Sequence, residues 1–206
     1  AGSNTLIRDN GVKGVVIKLG QGFSDINLIN GKDTIEVGAG ALDRKVSNFA
    51  KENQIGNLEF LSCIPGSIGG AVVMNSGCYD NDISKVLTSL KVVDINNCKE
   101  KEIKRDEIEF FYRGTNLPKN FIITSVKLKG KAASKEAIEN KQSEFIKKKK
   151  LSQPSHVKTC GSTFKNIKKG KKAWQIIKES GCDEFKEGDA EISKKHCNFF
   201  VNNGKA

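Results

Sequence analysis

The chain has three prolines, two tyrosines, two histidines and a single tryptophan and methionine among its 206 residues. No apolar run approaches the roughly 20 residues that a membrane-crossing helix needs, so no membrane partner is expected. His156 and His196 lie far apart, without the carboxylate or cysteine spacing of a catalytic triad or a metal site. The six cysteines (Cys63, Cys78, Cys98, Cys160, Cys182 and Cys197) include no C-x-x-C pair. Neither zinc ligation nor dithiol redox chemistry is signalled, and dispersed thiols suit a reducing cytoplasm. No charged-then-apolar leader opens the sequence, which begins at Ala1. A G-x-G-x-x-G between strand and helix, a G-x-x-x-x-G-K-[ST] loop and an internal repeat are all missing, which disfavours Rossmann and P-loop readings.

Positive charge, in contrast, is abundant. Lysine and arginine number 35 against 24 acidic residues, a net charge of +11. Much of the excess falls in Lys147–Lys150 and in Lys168, Lys169, Lys171 and Lys172. Such a balance fits a nucleic-acid binder, a solvated lysine-rich surface, or a field that steers small phosphorylated ligands. The runs lack the interleaved aromatics of a single-strand binder.

The first 130 or so positions read as short strands broken by glycine. Val15–Leu19, Thr34–Val37 and Leu90–Ile95 are rich in β-branched residues and bounded by turn residues, and Phe121–Leu128 alternates late in its run. Between them, Leu42, Val46, Phe49 and Ala50 have the spacing of one helical face over 41–53. A connector helix is expected over 132–151, ended by Pro154, a second helix at 173–180 closed by Gly181, and a strand at 198–202. This order suggests an α+β protein with a change of domain near residue 150.

Three glycine-bearing stretches stand out: Gly2-Ser3-Asn4, Gly38-Ala39-Gly40 and Ile64-Pro65-Gly66-Ser67-Ile68-Gly69-Gly70-Ala71. Glycine permits positive φ and close approach, and successive N–H groups can cradle a phosphate. Each stretch taken alone is equally a tight turn between strands.

Taken in order with Phe111-Tyr112-Arg113-Gly114, Gly161-Ser162-Thr163-Phe164-Lys165-Asn166 and the Ser193–Phe199 segment S-x-K-H-x-N-F, the G-S-N turn and the Ile64–Gly77 segment resemble the UDP-N-acetylenolpyruvoylglucosamine reductases. The resemblance spans nearly the whole chain. It implies an FAD-binding domain of the vanillyl-alcohol-oxidase type plus a smaller α+β substrate domain. Residues 1–20 would finish a first FAD lobe, 21–150 form the second with the connector helix, and 151–206 begin the substrate domain. It implies NADPH as reductant, UDP-N-acetylglucosamine enolpyruvate as substrate, and a role in building peptidoglycan. It further implies cofactor contacts from Gly2, Ser3, Asn4, Pro65, Gly66, Ser67, Ile68, Gly69, Gly70, Asn75 and Gly77.

In that family's chemistry hydride reaches the vinyl carbon of the enolpyruvyl ether and a proton reaches the adjacent carbon. By resemblance Arg113 stabilises the enolate-like charge and Ser162 donates the proton. A guanidinium suits the first task, because it is permanently charged and forked. Serine is a weak acid and needs cationic support, for which Lys150 and Lys165 are candidates, or they bind NADPH and diphosphate oxygens with Asn166. His196 is a candidate substrate contact, and Cys160 is expected to be incidental packing. Taken by themselves, Arg113 could instead pair with Glu107 or Glu109, and Ser162 could be a turn or cap hydroxyl.

The sequence departs from the family pattern in places. The family's L-x-P-E-V-like segment with its catalytic glutamate is not found before Ala206, the strand-helix units expected ahead of the G-S-N turn are missing, and Ile167 stands where proline is common. The 206 residues by themselves are therefore expected to turn over little, and full NADPH-dependent activity of the isolated chain would contradict that. The interval from Arg113 to Ser162 (162 − 113 = 49) resembles the subclass without an extra tyrosine-bearing loop. A monomer with no nucleic-acid partner is expected. Another FAD oxidoreductase of the same fold and a basic RNA-binding module remain the alternatives.

Overall fold

The computed structural model describes residues 1–29, 31–167 and 170–206, so Lys168 and Lys169 of the second lysine run lie outside the described residues. It divides into two compact units: Ala1 with Val16–Ile146, and Gly2–Val15 with Lys147–Ala206.

The first unit is built on a five-stranded antiparallel sheet in the spatial order Ile26–Ile29, Thr34–Gly38, Phe121–Lys129, Leu87–Asp94, Lys99–Lys104. Alternation sets the buried face: Ile35 and Val37 are fully enclosed while Thr34 and Glu36 are not. In the central strand Ile123 and Val126 both face inward although three apart. A register shift between Ile123 and Ser125 supplies the extra residue.

Helix α1 (Asp43–Glu52) covers this core with Val46 and Ala50, and Phe49 packs at its edge. Leu42 departs from the expected helical face. It is the extended residue before the helix, 44% exposed, because its pairing with Ser67 takes it out of the helical path. Helix α2 (Ile68–Val73) follows the glycine-rich segment, and α3 (Lys135–Ser152) buries Ile138, Gln142 and Phe145. Ser134 Oγ accepts the Ala137 N–H, which caps the start of α3. Gln142 donates to both the carbonyl and the hydroxyl of buried Ser47, at 3.1 and 2.7 Å.

The expected strand at Val15–Leu19 is not formed. Val15, Val16 and Ile17 are 90%, 74% and 65% exposed, and no described strand pairs with them. β-Branched composition reports how a residue fits a packed sheet, and without a partner edge it does not make a strand. The strand expected at Leu90–Ile95 starts earlier, at Leu87, and leaves Ile95 out in solvent.

The second unit holds α4 (Ala173–Glu179), ended by Gly181 at φ +69°, and a three-stranded antiparallel sheet of Lys186–Glu187, Ala190–Ile192 and Phe200–Asn202. Its core includes Ile192, Cys197, Phe199 and Val201.

One buried group stands out in the first unit. Asp43, first residue of α1, is 1% exposed, and among the described residues neither carboxylate oxygen has a hydrogen-bond partner. Burial raises its pKa from 3.8 to about 7. A carboxyl that is neutral in the fold and ionised in the open chain costs stability as pH rises through that interval, by about 1.4 kcal/mol per pH unit. Asp43→Asn is expected to melt higher than the parent at pH 8 and close to it near pH 4. Melting curves with the same pH slope in both proteins would contradict this.

Candidate functional site

In the first unit, the second and third glycine-bearing stretches are laced together. The N–H groups of Ile68 and Gly69 donate to Ala41 and Ala39 carbonyls (2.9 and 3.0 Å), and Asp43 N–H donates to Gly66 O at 3.2 Å. The glycines divide into distinct tasks. Gly66 has φ +129°, a conformation that L side chains rarely adopt. A Cβ on Gly69 would lie 3.0 Å from Ala39 Cβ, so that glycine serves a contact inside the protein. Gly70 is exposed, and a Cβ there would meet nothing nearer than Ser67 Oγ at 3.8 Å, which leaves clear space over the backbone. Pro65 is exposed, Ser67 half-buried and Ile68 buried. This open backbone beside a glycine at positive φ fits a phosphate-bearing cofactor such as FAD.

Asn75 and Gly77 have demands of their own. Asn75, at φ +40°, accepts the Ser84 N–H on Oδ1 (3.1 Å) and donates Nδ2 to Phe111 O (3.4 Å). Gly77 pairs with Asp82, and a Cβ would lie 2.2 Å from Asn81 O.

Arg113 sits in the two-residue loop of the hairpin Phe110–Phe111 with Gly114–Thr115. Its φ of +61° is strained for a side-chain-bearing residue, a feature that concentrates at functional positions. Its guanidinium lies 5.4 Å from the Tyr112 ring centroid. Gly114 follows it with the Phe111 ring close by: a Cβ there would lie 2.3 Å from the ring edge, so the half-exposed ring would have to swing aside. Among the described residues no ion pair joins Arg113 to Glu107 or Glu109. Glu107 instead accepts the Lys104 N–H. A guanidinium that the sequence did not single out braces the hairpin: Arg105 donates to Ser84 O and Ile108 O (2.9 and 3.0 Å) and lies over the Phe110 ring.

In the second unit Gly2 is exposed at φ +76° with open space where a Cβ would be, Ser3 is half-buried and Asn4 exposed. Ser162 is exposed and forms an isolated antiparallel bridge with Phe199. Two of the sequence motifs thus meet. Thr163 N–H donates to Asn198 O at 2.9 Å, and the Asn198 side chain both accepts from Phe164 N and donates to Phe164 O, each at 2.9 Å. Asn198 belongs to the Ser193–Phe199 segment, whose pattern alone gives it no role. Its partners are over thirty positions away, so local spacing carried no signal of them.

His196 is half-buried, stacks edge-on against Phe199 and accepts the Asn198 N–H on Nδ1. Burial lowers its pKa below the ordinary histidine value, so the neutral ring is the favoured form. Lys150 and Lys165 have exposed side chains. The Lys150 carbonyl, in the last turn of α3, accepts from the Lys195 ammonium, a favourable place for a cation. Asn166 Oδ1 accepts the Ala173 N–H at the start of α4 (3.0 Å), which commits that oxygen to the fold. Cys160 Sγ donates to Thr5 O at 3.3 Å. Among the described residues no cluster of histidine, cysteine and carboxylate could hold a metal, and no helix is long and apolar enough to cross a membrane.

Two family models match in order: the FAD binding domain over residues 1–102, and the C-terminal domain of UDP-N-acetylenolpyruvoylglucosamine reductase over 153–206. A UDP-N-acetylenolpyruvoylglucosamine reductase of Pelagibacter ubique (strain HTCC1062) is 47% identical over 208 residues, covering 100% of this chain and 68% of that protein. One from Wolbachia pipientis wMel is 41% identical, covering 98% and 68%. The crystal structure of the Thermus caldophilus reductase superposes with a TM-score of 0.89 at 36% identity, covering 100% of this chain and 73% of that one. The match runs through both units and both motif sets, and the chain belongs to the UDP-N-acetylenolpyruvoylglucosamine reductase family.

Proposed function

We propose that the protein reduces UDP-N-acetylglucosamine enolpyruvate to UDP-N-acetylmuramate in peptidoglycan synthesis, with Arg113 and Ser162 as the groups that act on the substrate. The observation that carries the reading is the meeting of the Ser162 and Asn198 motifs within the segment matched by the reductase's C-terminal domain. FAD, when bound, supplies the redox step by taking hydride from NADPH and giving it to the vinyl carbon. We assign the cofactor's hold to Gly2, Ser3 and Asn4 and to the Pro65–Gly70 backbone. Residues 1–20, 21–150 and 151–206 are assigned as the end of a first flavin lobe, a second lobe and the substrate domain.

Hydride arriving at the vinyl carbon leaves negative charge shared between the adjacent carbon and the carboxylate. Arg113 answers that charge with several N–H donors on a permanent cation. Ser162 supplies the proton to the adjacent carbon, which becomes the lactyl stereocentre. Lys150 and Lys165 support the ligand phosphates, and neutral His196 offers a donor without a competing charge. The net charge of +11 draws in FAD, NADPH and a UDP-sugar, all anionic. We infer a cytoplasmic monomer without a nucleic-acid partner.

The reductase carrying this sequence should purify yellow, lose its visible flavin band on anaerobic NADPH and regain it on the enolpyruvyl sugar. A flavin that NADPH bleaches but the sugar does not restore would instead support another oxidoreductase of the same fold.

A further inference from the structure

A hydroxyl is a poor acid, so its value as a donor depends on where its oxygen is held. A displacement of about 1 Å of a reacting group can cost about 10²-fold in rate. The chain around Ser162 offers little side-chain packing to hold it. Residues 162–167 are all exposed, and the preceding Gly161 has φ +87°. Its start, Ser162–Phe164, is tied by hydrogen bonds to residues 198–199, while the Phe164–Phe200 ring contact and the Ala173 N–H to Asn166 Oδ1 bond hold it further along.

Among the described residues, main-chain pairing there stops after the Ser162–Phe199 bridge and the Thr163 N–H to Asn198 carbonyl bond. Beyond it the Asn198 side chain takes over. Its Oδ1 accepts the Phe164 N–H and its Nδ2 donates to the Phe164 carbonyl, both at 2.9 Å. A carboxamide has the donor and acceptor of a peptide group, so it extends the ladder by one residue where no strand remains. Asn198 as a residue is 4% exposed, which makes both bonds costly to lose. Asn198 is itself braced: its N–H meets His196 Nδ1 at 3.3 Å, the Phe199 N–H meets His196 O at 2.9 Å, and the Ser193 N–H meets Phe199 O at 2.8 Å. No other residue type of similar size gives both bonds. Aspartate accepts without donating, and leucine does neither.

We propose that Asn198 is a positioning residue for Ser162: its carboxamide clamps the Phe164 peptide and so fixes the backbone that presents the Ser162 hydroxyl. This rests on Ser162 being the proton donor. Asn198 does not touch the reacting atoms.

The test compares Asn198→Ala, Asn198→Asp, Ser162→Ala and the Asn198→Ala/Ser162→Ala pair in the flavin-loaded reductase carrying this sequence. Stopped-flow absorbance follows flavin reduction by NADPH and, separately, reoxidation by the enolpyruvyl sugar. Asn198→Ala should leave reduction within about twofold and slow reoxidation by about 10²-fold. In the Ser162→Ala background it should add nothing, because the group it positions is gone. Should Asn198→Ala not fold, Asn198→Asp carries the same comparison, since it keeps the acceptor for Phe164 N–H and loses the donor. Reoxidation at the parent rate, equal slowing of both half-reactions, or multiplying effects in the double variant would each overturn the proposal. If Ser162→Ala alone reoxidises normally, the donor assignment fails instead. If Ser162→Ala is slow while the Asn198 variants are normal, only the positioning role fails.

Discussion

Ser162→Ala is expected to let NADPH reduce the flavin at the parent rate and then to stall, with reoxidation by the enolpyruvyl sugar slowed about 10³-fold. Removing a general acid costs typically 10² to 10⁴. Here the acceptor is a carbon, which gathers a proton slowly from water, so the upper half of that range applies. The reductive half-reaction requires no proton from this side chain, and the two halves therefore separate. The substitution removes one exposed oxygen from a segment held by backbone bonds to Asn198 and Phe199, so the melting temperature should stay within a degree or two. Ser162→Cys should recover part of the rate, since a thiol is the stronger acid. A Ser162→Ala protein that reoxidises on substrate at the parent rate would end the assignment.

The second large effect is at Arg113. Arg113→Ala should slow reoxidation by about 10² to 10³, the range for removing one donor aimed at developing charge. Arg113→Lys should restore only part, because an ammonium cannot reproduce the planar fork. Stability separates a functional from a structural role. At φ +61° arginine is strained, so Arg113→Gly relieves the backbone while deleting the guanidinium. That variant should melt at or above the parent temperature and reoxidise as slowly as Arg113→Ala. Rapid reoxidation of Arg113→Gly, measured by the same absorbance trace, would remove Arg113 from the chemistry.

Where the sequence was legible, a local period was matched by a partner. Thr34–Val37 alternates and became the strand Thr34–Gly38, and the apolar positions Ile138 and Phe145 of the connector helix became its buried face. Val15–Leu19 is also rich in β-branched residues and made no strand, because pairing is a property of two segments. The bulge at Ile123–Ser125 was hidden for a similar reason: it appears only when the register against Leu87–Asp94 is known. Family motifs pointed to Arg113 and Ser162 but gave no means of telling a glycine that a ligand requires from one that the fold requires. Gly69 answers to Ala39 and Gly77 to Asn81, whereas Gly70 faces open space. The bonding roles of Arg105 and Asn198 were not legible because their partners are backbone groups, some of them 21 and 34 positions away, and backbone groups leave no mark on composition.

The central position of Phe121–Lys129 has a bearing on how the protein is made. Its residue Ser125 pairs with Gly38, 125 − 38 = 87 positions earlier, and Gly38 leads directly into the stretch laced to the Pro65–Gly70 segment. A ribosome adding about 5–20 residues per second exposes both glycine stretches for several seconds before the strand that joins the two edges of their sheet exists. Through that interval Ile35, Val37 and Ile68, all destined for full burial, stay in solvent or in the care of a chaperone. Slow steps in maturation should therefore cluster at the arrival of residues 121–129, and a nascent chain stopped short of them should remain sensitive to protease.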